Sequence, residues 1–178
     1  MDRPLAQLCR ELSAEIDHLC DGLAAGLLDP SAWQADMARA LIEHHIAAFL
    51  ISHPDRTLTP DDWKTIKFAV GEQIDRLNRF ADTIEAEGWS ERMRARAQLY
   101  PGSLKQTYSA GRWVEWDLPC HPGDGGTECN VGCKCSWRVD VIDVEQGLAD
   151  AYWVRHIEDS CQGCLSRESL YSPYRIQP

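Results

Sequence analysis

The chain has 178 residues, 44% hydrophobic and 26% charged, with a formal net charge of −10. This suits one ordinary domain, or a helical domain with a small appendage, and excludes wholesale disorder. The longest unbroken apolar run, Ile46 to Ile51, falls far short of the roughly 20 residues that cross a bilayer. Met1-Asp2-Arg3-Pro4 leads into a charged periodic segment rather than a secretory apolar core, so a soluble chain in the cytoplasm is expected. Residues 1–100 hold 11 basic and 17 acidic side chains, and the remainder 7 and 11. Neither part is basic, which disfavours binding to a phosphate backbone.

From Leu5 the apolar positions run Leu5, Leu8, Leu12, Ile16, Leu19, Leu23 and Leu27. Steps of three and four make this one face of an amphipathic helix. Asp29-Pro30 breaks the pattern and opens a second helix, because proline suits a first helical turn. Its stripe is Trp33, Met37, Leu41, Ile42, His45, Ile46 and Phe49, and Ser52-His53-Pro54-Asp55 reads as a turn. Thr59-Pro60-Asp61-Asp62 supplies an N-cap hydroxyl, a first-turn proline and acids at the positive end of the helix dipole.

The third helix carries Trp63, Ile66, Val70, Ile74, Leu77, Phe80 and Ile84, and Gly88-Trp89-Ser90 closes it. Ser90 is expected to cap a fourth helix through Tyr100, and a short helix follows around Leu104 to Ser109. Such stripes ordinarily form the core of a helix bundle. A stripe buried between copies looks the same, so a homo-oligomer stays open. His44 and His45 are adjacent on one helix and point about 100° apart, so they do not chelate one ion as an i, i+4 pair does. A packed or surface histidine is the commoner reading.

After Ala110-Gly111 the texture turns to tryptophan, glycine, proline and cysteine. Trp113 to Trp116 reads as a short strand and Pro122-Gly123-Asp124-Gly125-Gly126 as a turn-rich loop. A β-rich run with Val139, Val141 and Val144 follows Cys135, breaks at Gln146-Gly147, and returns through Ala151 to Arg155. That hairpin would bring Cys133 and Cys135 level with Cys161 and Cys164. Eight cysteines are present, six of them between Cys120 and Cys164. In a reducing compartment such a cluster points to metal before disulfides. Cys9 and Cys20 fall within a helical pattern and read as core thiols.

Four thiolates from two segments match a tetrahedral structural zinc site, which would crosslink a module with a small core of its own. Five candidates compete for four places. Cys161 and Cys164 have zinc-knuckle spacing, Cys133 and Cys135 complete the favoured set, and Cys129 is the reserve through the Asn130-Val131-Gly132 loop.

No enzyme is expected. The chain lacks a His-Glu-x-x-His, a His-x-Glu with Pro-Cys-x-x-Cys, a Gly-Lys-Ser/Thr phosphate loop and a Gly-x-Ser-x-Gly elbow. Cys120-His121 with His156 supplies the types for a thiol nucleophile and base, but adjacency in sequence gives no attack geometry. Zinc held by four thiolates leaves no open position for substrate.

Thr59-Pro60-Asp61-Asp62-Trp63, Ala95-Arg96-Ala97-Gln98-Leu99-Tyr100 with Gly102-Ser103, and Thr107-Tyr108 form one recognisable succession. Leu118-Pro119, His121-Pro122-Gly123-Asp124-Gly125, Cys129, Cys133-Lys134-Cys135-Ser136-Trp137 and Cys161-x-x-Cys164 form its more specific part. Together they resemble the head morphogenesis (minor head) proteins of tailed phages and prophages. The resemblance implies a non-enzymatic structural or assembly role at the phage head. It further implies contact with portal or major capsid protein, and a location in the virion after assembly in the host cytoplasm. The expected architecture is α+β, with an α-helical bundle over residues 1–110 and a zinc-stapled β-hairpin module over 111–178. The alternative is a cytosolic zinc-module adaptor or regulator with local nucleic-acid contact.

Overall fold

A computed structural model describes residues 3–53, 57–113, 116, 118–122, 124, 126–129, 133–143, 146–158 and 160–176. The fold is α+β, and it divides into two compact units, Met1–Gly111 and Arg112–Pro178. No helix among the described residues is long and apolar enough to cross a membrane.

The first unit begins with three long helices, α1 (Arg3–Ala24), α2 (Pro30–Ser52) and α3 (Pro60–Glu87). Helix α2 packs against both of the others. The core follows the apolar periods: Leu5, Leu12, Ile16 and Leu19 from α1, Trp33, Met37 and Leu41 from α2, and Leu77, Phe80 and Ile84 from α3. Trp33 meets Phe80 edge-on with ring centroids 5.6 Å apart, an aromatic geometry that adds to the burial of both rings. Three stripe residues are exposed. Leu27 lies beyond the end of α1 and is exposed, because the chain turns away at Ala24, and Ile42 and Trp63 sit at the stripe edges, partly in solvent.

The helix starts are formed by the residues that the sequence marks. Asp29 accepts from the Ala32 amide at 2.8 Å. Thr59 and Asp62 form a reciprocal capping box, with the Thr59 amide donating to Asp62 Oδ2 at 2.7 Å and the Asp62 amide to Thr59 Oγ1 at 3.3 Å. Of the turn proposed at Ser52 to Asp55, Pro54 and Asp55 lie outside the described residues.

The later helices differ from expectation. Helix α4 is short (Glu91–Ala97), its N-cap Ser90 makes no side-chain capping bond, and a 3-10 turn at Tyr100–Ser103 leads into α5 (Leu104–Trp113). Pro101 and Gly102 interrupt the α pattern without ending the helical path. Arg94 ties α4 to α1 through Asp21 at 2.7 Å, and Gln98 Nε2 donates to the Ser13 carbonyl at 3.0 Å. Trp113 is the last residue of α5, which corrects the expected strand there; Val114 and Glu115 lie outside the described residues.

His45 is fully buried between α2 and the start of α5. Its Nδ1 lies 2.6 Å from Thr107 Oγ1 and its Nε2 3.1 Å from Ser103 Oγ. Ser103 donates its own proton to the Tyr100 carbonyl at 2.7 Å, so its oxygen accepts from Nε2–H and Thr107 donates to Nδ1. The ring is therefore a neutral core group. Burial, aided by neighbouring His44, lowers its pKa from 6.5 to about 4.

The second unit is a three-stranded antiparallel sheet with one helix. Strands β1 (Ser136–Asp143), β2 (Leu148–Val154) and β3 (Tyr174–Ile176) lie in the order β1-β2-β3, and α6 (Gln162–Tyr171) connects β2 to β3. The expected hairpin is present as β1 and β2, turning at Gly147, whose φ of 63° is the left-handed conformation that glycine adopts without strain. The module is larger than a hairpin, because α6 and β3 complete it.

Alternation along β2 buries Ala149, Ala151 and Trp153 on one face. Trp137 sits directly opposite Trp153 in the ladder, and the two rings meet edge-on at 5.2 Å. Tyr171 at the end of α6 packs on Trp137 with centroids 6.2 Å apart.

The His45 shift has a definite pH sign. Between pH 6.5 and about 4 the unfolded state binds a proton that the folded state refuses, so stability is complete above that window and falls within it. A fragment of residues 1–111 should lose about 3 kcal/mol from this group as the pH drops through the window. Urea unfolding followed by far-ultraviolet circular dichroism reads the loss, and His45→Gln should remove that component of the pH dependence.

Candidate metal centre

The five candidate thiols of the C-terminal unit meet around Cys164. Cys133 and Cys135 precede β1, Cys129 lies in the preceding loop, Cys161 is the N-cap of α6, and Cys164 sits in its first turn. Cys164 Sγ is 3.6 Å from Cys129 Sγ and 3.8 Å from Cys133 Sγ, and Cys161 Sγ is 3.5 Å from Cys129 Sγ. Every distance is far beyond a sulfur–sulfur bond, and all eight cysteines are free thiols.

The sulfurs form two overlapping triads, Cys129/Cys161/Cys164 and Cys133/Cys135/Cys164, each with all its members within 4.8 Å. Cys133, Cys135 and Cys164 are buried, while Cys129 and Cys161 are partly exposed. Cys129, the reserve on spacing, stands beside both Cys161 and Cys164. The cluster can hold a metal ion. Cys164 is its centre, the member common to both triads.

Cys161 was expected at the end of the returning strand. That strand ends at Val154, and Cys161 caps α6 instead, without a side-chain capping bond of its own. Its thiol turns into the cluster, and Glu128 takes over the capping by accepting from the Gly163 amide at 2.9 Å. A Cβ at Gly163 would lie 2.8 Å from that carboxylate oxygen and 3.1 Å from Thr127 Cγ2, so a side chain there would push the Glu128 carboxylate aside. Hydrogen bonds from the Cys161 thiol and from backbone amides lower the Glu128 pKa. Cys164 lies in the first turn of α6, at the positive end of the helix dipole, which favours its thiolate form.

Burial works in the opposite direction. It raises the Cys164 thiol strongly, reinforced by hydrogen bonds with Cys135, Cys161 and Cys129. A metal bound here would displace protons as it bound, because the ligand is the thiolate.

Arg167 fastens the loop that carries Cys120 and His121 to α6. Its Nη2 donates to Asp124 Oδ1 at 2.9 Å and its Nη1 to the His121 carbonyl at 3.3 Å, while the guanidinium lies 5.2 Å from the Trp153 ring centroid. Asp124 also accepts from the His121 amide at 3.1 Å and the Gly126 amide at 2.9 Å. Sequence reasoning missed Arg167, Asp124 and Glu128 as supports. A Glu128–Gly163 or Asp124–Arg167 contact joins distant segments and leaves no local spacing to read.

Cys120 belongs to neither triad. Its carbonyl accepts from Trp137 Nε1 at 2.8 Å, and burial pushes its thiol up to about 11. That is opposite to the depressed thiol a nucleophile needs. His121 is likewise driven toward its neutral form, chiefly by burial. Cys20 is buried in the helical core, and the half-buried Cys9 thiol donates to the Pro101 carbonyl at 3.4 Å. Asn130, Val131 and Gly132 lie outside the described residues.

Compared with protein-family models, with curated proteins and with solved structures, the chain matches none.

The shared position of Cys164 generates a ranking. Cys164→Ser should purify with the lowest metal content of the single Cys→Ser variants, and Cys120→Ser should keep the wild-type content. Elemental analysis of the purified full chain by plasma mass spectrometry reads both. Full metal in Cys164→Ser would contradict the ranking.

Proposed function

We propose that this chain is a non-enzymatic structural or assembly protein of a tailed-phage or prophage head, with a C-terminal unit stapled by zinc. Tetrahedral zinc with Zn–S bonds of about 2.3 Å sets its sulfurs about 3.8 Å apart. The sulfur separations of 3.5, 3.6 and 3.8 Å fit that edge length. Cys164 with three of Cys129, Cys133, Cys135 and Cys161 would hold the ion. Bound there, zinc supplies a crosslink among three chain segments and offers no vacant position to a substrate.

One observation carries the reading. The stretch that most resembles minor head proteins, Leu118 to Trp137 with Cys161 and Cys164, is the stretch whose thiols converge at one point. A neutral hydrogen-bonded His45 and a raised Cys120 thiol support a role without acid–base or nucleophilic chemistry. A net charge of −10 supports protein partners over nucleic acid. In this reading the partner is portal or major capsid protein, met in the host cytoplasm during assembly and retained in the virion.

Mass spectrometry of purified particles and assembly intermediates, from a phage or prophage expressing the gene, tests the role. The wild-type chain should be found in one or both, and Cys164→Ser should be depleted from them. Absence of the wild-type chain from both would overturn a head role.

A further inference from the structure

Strand β1 is an edge of the sheet, since β2 alone pairs with it among the described residues. It is long for an edge, eight residues, and two adjacent β-branched residues, Val141 and Ile142, are 50% and 51% exposed on it. An open edge of this kind carries a row of backbone donors and acceptors toward solvent, and natural proteins ordinarily blunt or cover it.

We propose that β1 is a self-association edge, on which a second copy of this chain pairs antiparallel with Val139 opposite Val139. In this register Arg138 of each copy faces Asp140 of the other, and Trp137 faces Val141. Both faces of the strand are then self-complementary. On one face the row Trp137, Val139, Val141 continues into Val141, Val139, Trp137 of the second copy, which covers the exposed Val141. On the other face two Arg–Asp pairs lie across the seam. Arg138 and Asp140 already interact within the chain at 3.1 Å, with side chains 59% and 52% exposed, so four alternating charges would meet there.

Competing registers fail on simple grounds. Only alternate residues of an edge strand turn their N–H and C=O outward, so an antiparallel ladder shifts in steps that keep the two strands in phase. The neighbouring in-phase registers put Arg138 opposite Arg138 or Asp140 opposite Asp140, and like charges directly opposed are destabilising. The irregularity in the β1–β2 ladder lies between Val141 and Asp143, beyond the five residues that carry the complementarity. The operator is a two-fold axis midway between the two Val139 residues, so the contact closes at two copies and does not propagate along this edge. Nothing in the pairing depends on a role in head assembly.

Sedimentation velocity on the full-length chain over a concentration series tests the pairing. The wild type should self-associate reversibly into dimers, less so at high salt because the seam charges are screened. Arg138→Asp alone and Asp140→Arg alone should each abolish the dimer. An equimolar mixture of those two variants should form a heterodimer, since one supplies two acids and the other two bases at the seam. The double variant Arg138→Asp, Asp140→Arg should regain the homodimer. Recovery in the mixture and in the double variant separates lost pairing from lost folding. A monomeric wild type at every concentration, a dimer indifferent to the single substitutions, or a mixture without heterodimer would each overturn the proposal.

Discussion

Cys164 is completely buried, and its sulfur lies among thiols from two other chain segments. The C-terminal unit is arranged around that point. Among the described residues its hydrophobic core has nine buried members, and three of them are Cys133, Cys135 and Cys164. A third of the core is therefore thiol. A unit of this size rarely gains enough from its hydrophobic core alone and ordinarily needs a staple. The Trp137–Trp153 pair and the Tyr171 ring give it one well-packed layer. Without a bond among the sulfurs, Arg167, Glu128 and weak thiol contacts join the loop before β1 to α6. A metal at the thiols converts those contacts into coordination bonds, and its binding energy then becomes folding energy.

The helical unit obeys a different constraint. Its three long helices bury Trp33, Phe80, Met37, the leucine row of α1, and Leu77 and Ile84 of α3 against one another. Two of its buried polar groups are satisfied within it: His45 spans two hydroxyls, and Asp62 closes the capping box at the start of α3. Nothing in that set asks for a ligand. The two units thus call on different physics, apolar burial in one and thiol convergence in the other.

How far the sequence was legible follows from the same difference. Helices α1 and α3 are long and strongly periodic, α2 is long and apolar, and Asp29-Pro30 and Thr59-Pro60 mark the starts of α2 and α3, so local signals were sufficient. The β1–β2 hairpin was legible because alternation and Gly147 act over short range. Helix α6 was not. Its sequence opens on Gln162-Gly163-Cys164, has little amphipathic pattern, and gains its place by packing on β2. Missing α6 meant missing that Cys161 caps a helix, and hence that Cys164, one turn on, reaches both triads. Trp113 was misread for a related reason, since its β propensity yields to the helix that precedes it. The five thiols were legible as a set from spacing. Their division around Cys164 was not, because it depends on where α6 sits.

The proposed metal at the Cys164 cluster would organise the C-terminal unit and leave the helical unit unaffected. The tryptophan indole N–H resonances of the full chain test it most directly. Trp137 and Trp153 report the C-terminal core, and Trp33 and Trp89 the helical one. On treatment of zinc-loaded protein with a strong chelator, the Trp137 and Trp153 signals should collapse toward random-coil shifts and return when zinc is restored. The Trp33 and Trp89 signals should hold their positions throughout. Unchanged Trp137 and Trp153 signals after verified removal of the metal would contradict the account.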